Sequence, residues 1–268
     1  MKILIVGNVF KDVYLNIDER VEKFETDSDG TRWLNLSFDT SEHRFFRRTS
    51  SFGGAAISLE VLSKMGLEAE ICGSPIAFEK GEIHTNGNSV ADIYRYILIS
   101  DEQATYFAPS YEHATEFVMP NEHFDYIFID RSANIADSEA ILDYLDFLPE
   151  TRLVVHARKN PRSKAEKELL RKADLVFAER EIGEIDAKKL VKIEPGKISY
   201  LNVMEKFKNP RENLMTHLSI YSILAATVLG GFVLGRSAEE SLKLAKTNVE
   251  HSSLDACLDL ATLEELAA

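Results

Sequence analysis

The sequence predicts an α/β fold: a mostly parallel central sheet covered by helices on both faces, with a small β-appendage acting as a lid. Three observations predict it. Short apolar runs of strand length recur along the chain, among them residues 3–6 (ILIV), 126–129 (YIFI), 153–155 (LVV) and 175–177 (LVF). Unbroken apolar runs mark strands buried on both faces, as in a parallel sheet between helical layers. Helix-patterned segments lie between these runs, the alternation expected of strand–helix–strand units. One region breaks the alternation with strand-like pieces that mix apolar and polar residues, as a sheet wetted on one face does.

Taken in order, residues 3–6 form the first strand, and 57–66 form a helix that stops at Gly66. Residues 68–72 (EAEIC) follow as a strand. The 126–129 strand leads into a helix over 138–148, the 153–155 strand into a charged helix over 163–172, and the 175–177 strand into a helix over 181–190. A late strand pair, 192–193 and 198–201, turns at Pro195-Gly196. Two helices close the pattern, 216–234 and 238–251. The lid pieces are 13–17, 32–38 and 43–49, with turn signals at 27–30 and 39–41, and a hairpin of 94–100 with 104–107. A single domain over 1–268, with lid segments at about 13–50 and 94–108, is the economical organisation.

A chain of 268 residues with 45% hydrophobic and 28% charged content buries one sizeable core. The net charge of −13 argues against nucleic acid or an anionic membrane as partner. Two cysteines, Cys72 and Cys257, give neither a disulfide framework nor a metal pattern, which suits a reducing, cytoplasmic compartment. The apolar start is shorter than a signal peptide. The longest apolar stretch, 220–234, falls short of the roughly 20 residues that span a bilayer and reads as a buried helix. His84, His113, His123 and His251 show no metal-ligand spacing.

Asp12 follows the first strand, at the sheet edge where α/β proteins bind ligands. A carboxylate there accepts hydrogen bonds from neighbouring hydroxyls; a solvated loop acid is the plainer alternative. Gly53-Gly54 precedes a helix, which lets backbone approach a ligand closely. The bland reading is a turn that needs positive φ. Asp130-Arg131-Ser132 and His156-Ala157-Arg158-Lys159 follow two strands at the same edge. Arg131, Arg158 and Lys159 there meet either a phosphate or only solvent. The run Arg44-Phe45-Phe46-Arg47-Arg48 suits a lid edge or a dimer contact.

Residues 7–12 (GNVFKD), Gly53-Gly54 and the helix ending Met65-Gly66, residues 173–179 (ADLVFAE) and residues 235–245 (GRSAEESLKLA), in this order and spacing, resemble the ribokinase-like (PfkB) sugar kinase family. The resemblance implies a Rossmann-like three-layer body with a small β-sheet lid. It implies ATP-dependent phosphoryl transfer to a sugar or nucleoside hydroxymethyl group, with ATP and Mg²⁺ as cofactors. It places Asp12, Gly53, Gly54 and Ser58 on the substrate side, and Glu179, Gly196, Thr216 and Ser219 on the nucleotide and phosphate side.

The sequence departs from the family at its catalytic centre. The family's Asp-Thr-x-Gly-Ala-Gly-Asp signature falls on residues 216–222 (THLSIYS), so Ser222 stands where the base belongs and the glycines are gone. A serine with no activating partner takes no proton at neutral pH. Side chains in place of the glycines obstruct the approach of backbone amides to phosphate. The Asn-x-x-Glu motif, which helps organise metal and phosphates in the family, falls on Glu179-Arg180-Glu181-Ile182. The nucleotide loop is reduced to Lys192-Ile193-Glu194-Pro195-Gly196. His217 is a candidate replacement base, since histidine titrates near neutrality; a surface residue beside a capping Thr216 or Ser219 is the simpler reading. Two functions therefore stand: a divergent carbohydrate or nucleoside kinase, and a catalytically impaired pseudokinase that binds a sugar-like or nucleotide-like molecule or acts as a regulatory dimer. Exposed lid strands suit a homodimer.

Overall fold

In chain order the elements are β1 (Lys2–Val6), β2 (Val9–Ile17), β3 (Glu25–Thr26), β4 (Arg32–Trp33), β5 (Phe45–Gly54), α1 (Ala55–Lys64), β6 (Glu68–Cys72), β7 (Ile83–His84), β8 (Tyr94–Ser100), β9 (Gln103–Phe107) and β10 (Tyr126–Ile129). They continue with α2 (Ser138–Phe147), β11 (Arg152–Ala157), α3 (Lys164–Lys172), β12 (Leu175–Ala178), β13 (Leu190–Glu194), β14 (Lys197–Tyr200), β15 (Val203–Lys206), α4 (His217–Val233), α5 (Ala238–His251) and α6 (Leu260–Ala267). This computed structural model describes residues 1–17, 25–26, 32–33, 45–73, 83–84, 94–100, 103–107, 119–133, 138–158, 160–183, 185–208, 217–252 and 257–268. Side chains are described for 1–10, 53–73, 119–133, 138–158, 160–183, 185–208, 220–252 and 257–268.

The main sheet has nine strands in the order β15-β14-β13-β12-β11-β10-β1-β6-β7. From β13 to β7 every neighbouring pair is parallel; β14 and β15 add an antiparallel margin. Successive side chains on a strand point to opposite faces. Ile3 and Ile5 of β1 accordingly enter one apolar cluster, with α1, α4 and α5, while Leu4 and Val6 enter the other, with α2 and α3. Both faces are covered, which is why β1 is apolar at four consecutive positions. The apolar helix α4 is buried over 220–233 between the sheet, α1 and α5. No helix among the described residues is long and apolar enough to cross a membrane.

The appendage forms a second, four-stranded sheet in the order β5-β2-β8-β9. It is mixed: β2 runs antiparallel to β5 and parallel to β8, and β8 and β9 form the expected hairpin. β3 and β4 pair separately. The turn signals at 27–30 and 39–41 and the strand expected beyond Trp33 lie outside the described residues.

Three differences from the sequence reading have local causes. The helix expected over 181–190 does not form. Ile182 is drawn into the α2–α3 apolar cluster, and Asp186 accepts from Lys188 N at 2.9 Å to cap a single 3₁₀ turn, Ala187–Lys189. Leu190 then begins β13. The late strand pair gains a third member, β15, which alternates half-buried and exposed residues. The C-terminal α6 is fixed by Asp259 capping Thr262 N and by Leu263 reaching the core.

Candidate active site

The chain leaves β1 toward one side of the sheet, to β6, and returns to β10 on the other side. The C-terminal ends of β1 and β10 therefore flank a topological switch point, the place where open α/β sheets bind ligands. Gly7 and Asn8 follow β1; Asp130, Arg131 and Ser132 follow β10. Asp130 N donates to Val6 O at 2.9 Å and Asn8 Nδ2 donates to Ser132 O at 2.9 Å, tying the two strand ends together. A Cβ on Gly7 would lie 2.7 Å from Ser132 Oγ, so a side chain does not fit there.

Asp130 is buried and fully engaged. Its Oδ1 accepts from Ser132 N at 2.8 Å and Ser132 Oγ at 2.6 Å, and its Oδ2 accepts from Ser58 Oγ at 2.6 Å. Ser58, in the first turn of α1, is thus fully buried with its hydroxyl given to Asp130.

Arg131 reaches from the end of β10, past β11, to Glu179 at the end of β12. Its Nε donates to Oε1 at 2.5 Å and its Nη2 to Oε2 at 2.8 Å, a two-point pair of the strong, geometrically specific kind. The guanidinium carbon sits 5.2 Å from the centre of the Tyr221 ring in α4, within cation–π range. His156 at the end of β11 lies beneath, with Nε2 3.2 Å from Glu179 Oε1 but not aligned for a hydrogen bond. Burial by itself would raise the Glu179 pKa; His156 and Arg131 outweigh it and hold the carboxyl at about 2. Burial, and then the Glu179 charge, push the Tyr221 hydroxyl upward.

Asp12 lies within β2 rather than in a loop, opposite Ser51 of β5 and Arg95 of β8. Gly53 and Gly54 pair with Phe10 and Val9, so Asp12 is two register positions from Gly53. Gly54 has φ of 68°, and a Cβ on it would lie 2.2 Å from Asn8 O; only glycine makes this passage from the small sheet into α1. Asp12, Gly53 and Gly54 are thereby gathered where the small sheet meets the β1 end. Gly196, with φ of 75°, occupies the turn after β13 at the same sheet edge. With neighbouring strands roughly 4.8 Å apart, it stands about 14 Å across from the β10 end. His217 is the first residue of α4, and Ser222, one turn further, is buried. Thr216 and the side chains of Asp12, His217 and Ser219 lie outside the described residues, as does Lys159.

Asn8 lies in the 7–12 motif and His156 heads the polar cluster 156–159, but the sequence assigns neither a role of its own. Their one sequence signal is position, immediately after or at the end of a parallel strand. Arg131 is buried and paired with Glu179, and Arg158 is exposed.

Solved structures place this architecture. Over 99% of the chain, it is similar to Arabidopsis thaliana ribokinase complexed with ribose and ATP, at 10% identity, 98% coverage of that chain and a TM-score of 0.67. It is similar over 99% to Methanocaldococcus jannaschii nucleoside kinase, at 13% identity, 97% coverage and a TM-score of 0.64. Burkholderia thailandensis nucleoside kinase in complex with inosine matches 99% of the chain at 10% identity, 96% coverage and a TM-score of 0.63. The fold is that of the ribokinase-like kinases. No protein-family model matches the sequence, and no curated protein matches it significantly.

The described residues do not fit the Mg²⁺ that the family resemblance implies. Glu179 is turned to a guanidinium that would repel a cation, and Ile182 stands buried in an apolar cluster at the motif's final position. Among the described residues no group of three or more His, Cys, Asp or Glu is placed to hold a metal.

Proposed function

We propose that this chain is a ribokinase-like small-molecule binder in which phosphoryl transfer to a sugar hydroxymethyl group is lost or strongly impaired. The observation that carries the reading is the Arg131–Glu179 pair against Tyr221. It occupies the strand-end edge beside Tyr221 with a neutralised ion pair. A carboxylate held at about 2 is too weak a base to accept an alcohol proton near pH 7. Asp130, the other buried carboxylate at this edge, has three donors already upon it. The substrate side supports retained binding: Asp12, Gly53 and Gly54 lie on neighbouring strands beside the switch point, suited to a sugar-like or nucleoside-like ligand. The long edge strand β5 supports a homodimer formed through the small sheet, and two buried cysteines that form no disulfide suit a cytoplasmic setting.

One observation favours a second reading. Helix α4 begins at His217, which puts a histidine at a helix N-terminus. There it would serve as base in a slow kinase using ATP, with metal ligands supplied by other residues.

The test is direct. Purified protein is incubated with ATP, Mg²⁺ and a panel of sugars and nucleosides while ADP release and melting temperature are recorded. The expected result is no ADP above background, with at least one sugar or nucleoside raising the melting temperature and Asp12→Ala reducing that shift. Sustained ADP release dependent on one acceptor and abolished by His217→Ala would replace the first reading with the second.

A further inference from the structure

His156 is an anomaly. Its ring is buried, and among the described residues neither Nδ1 nor Nε2 has a hydrogen-bond partner, although Nε2 is only 3.2 Å from Glu179 Oε1. Buried polar groups are rarely left so. Arg131 gives Nε and Nη2 to Glu179, and its Nη1 makes no hydrogen bond among the described residues. Two donors thus face one carboxylate that serves only one of them well. Asp130 does not compete for Arg131, because Ser58 and Ser132 occupy it. Glu179 is the first residue beyond β12, in a bend and only partly buried, so its side chain can swing out while the strand stays in place. Tyr221, half-buried, forms the rim over the guanidinium.

We propose that Arg131 and His156 form an oxyanion subsite, occupied by Glu179 in the free protein and by a carboxylate or phosphate of the bound molecule in the complex. The incoming oxyanion takes over the two-point guanidinium contact, and a ring N–H of His156 supplies the donor that Glu179 leaves unused. The net charge of −13 disfavours anions at long range, but that field is screened beyond about 8–10 Å and does not govern contact within the site. This inference rests on the binding reading above. It narrows the ligand class from neutral sugars and nucleosides to sugar acids, sugar phosphates or nucleotides.

The experiment uses matched pairs on the full chain, followed by calorimetry and thermal shift: gluconate against glucose, ribose 5-phosphate against ribose, and a nucleoside monophosphate against its nucleoside. Inorganic phosphate and acetate serve as bare-oxyanion probes. The charged member of at least one pair is expected to bind roughly tenfold or more tighter than the neutral one. The carboxylate and phosphate arms identify which oxyanion is preferred. Glu179→Gln, which weakens the resident competitor, is expected to increase the preference. The double variant Arg131→Gln with Glu179→Gln keeps an amide pair in the same space, and its fold is checked by circular dichroism; in it the preference is expected to vanish. Equal binding of charged and neutral members overturns the subsite and leaves the binding reading standing. Binding of no ligand at all overturns both. A charge preference that survives in the double variant also overturns the subsite. ADP release in the same samples counts against loss of transfer without touching the subsite.

Discussion

Replacing Arg131 by glutamine removes one half of a buried ion pair and leaves the other half in place. The side chains of Arg131 and Glu179 are 7% and 11% exposed, so solvent does little to rescue the orphaned charge. Breaking such a pair from one side costs about 3–5 kcal/mol. An independent route gives a similar figure. The Glu179 pKa is depressed from 4.5 to about 2 on folding, which is worth about 3 kcal/mol at neutral pH. The sign follows from the direction of the shift. A lowered folded-state pKa stabilises above the unfolded value of 4.5, and that stabilisation is lost as pH falls from there toward about 2. His156 supplies part of the depression, so the Arg131 share is somewhat smaller. Urea unfolding of the natural protein and of Arg131→Gln, followed by circular dichroism at a series of pH values, measures the difference. We expect a loss of about 2–4 kcal/mol at pH 7, shrinking to less than about half of that by about pH 3. A loss below about 1 kcal/mol at pH 7, or one that stays constant across the acid range, would refute the claim that this pair is desolvated and ionised.

Three further outcomes follow from the packing. Gly54→Ala forces a side chain against Asn8 O at a residue whose φ is 68°, and should cost more than about 2 kcal/mol in a thermal or urea melt. Asn248→Ala removes a buried amide that donates to Thr227 Oγ1 at 2.9 Å and accepts from Ser252 Oγ; the loss should be about 2–3 kcal/mol, and Asn248→Asp should not restore it. Burial pushes the Cys257 thiol up to about 12, so thiol reagents at pH 8 should label it only on unfolding, and labelling in the native protein at the rate of a free thiol would contradict its placement.

Much of the body was legible in the sequence because its strands are doubly buried. Residues 68–72 and 126–129 are strands at the boundaries read from their apolar runs, and the helix over 238–251 matches as well. Periodicity failed at 181–190, where the apparent helix pattern lost to a capped 3₁₀ turn and to the demand of β13 for Leu190. The site was partly legible. Asp12, Gly53 and Gly54 lie on two paired strands, with Asp12 inside a strand and not in a loop. Ser58 was placed near the ligand by counting; its burial on Asp130 came from the packing of α1 against the β10 end.

The sequence by itself determined the layers, the order of the elements and the absence of glycine from the first turns of α4, since these are read from local composition and period. The tertiary structure alone decided what the polar residues at the strand ends do. Arg131 and Glu179 are 48 residues apart and leave different strands, with His156 on the strand between them. Whether such charges meet solvent, a ligand or one another depends on strand order and on the desolvation that order imposes. Neither quantity is carried by any local stretch of chain.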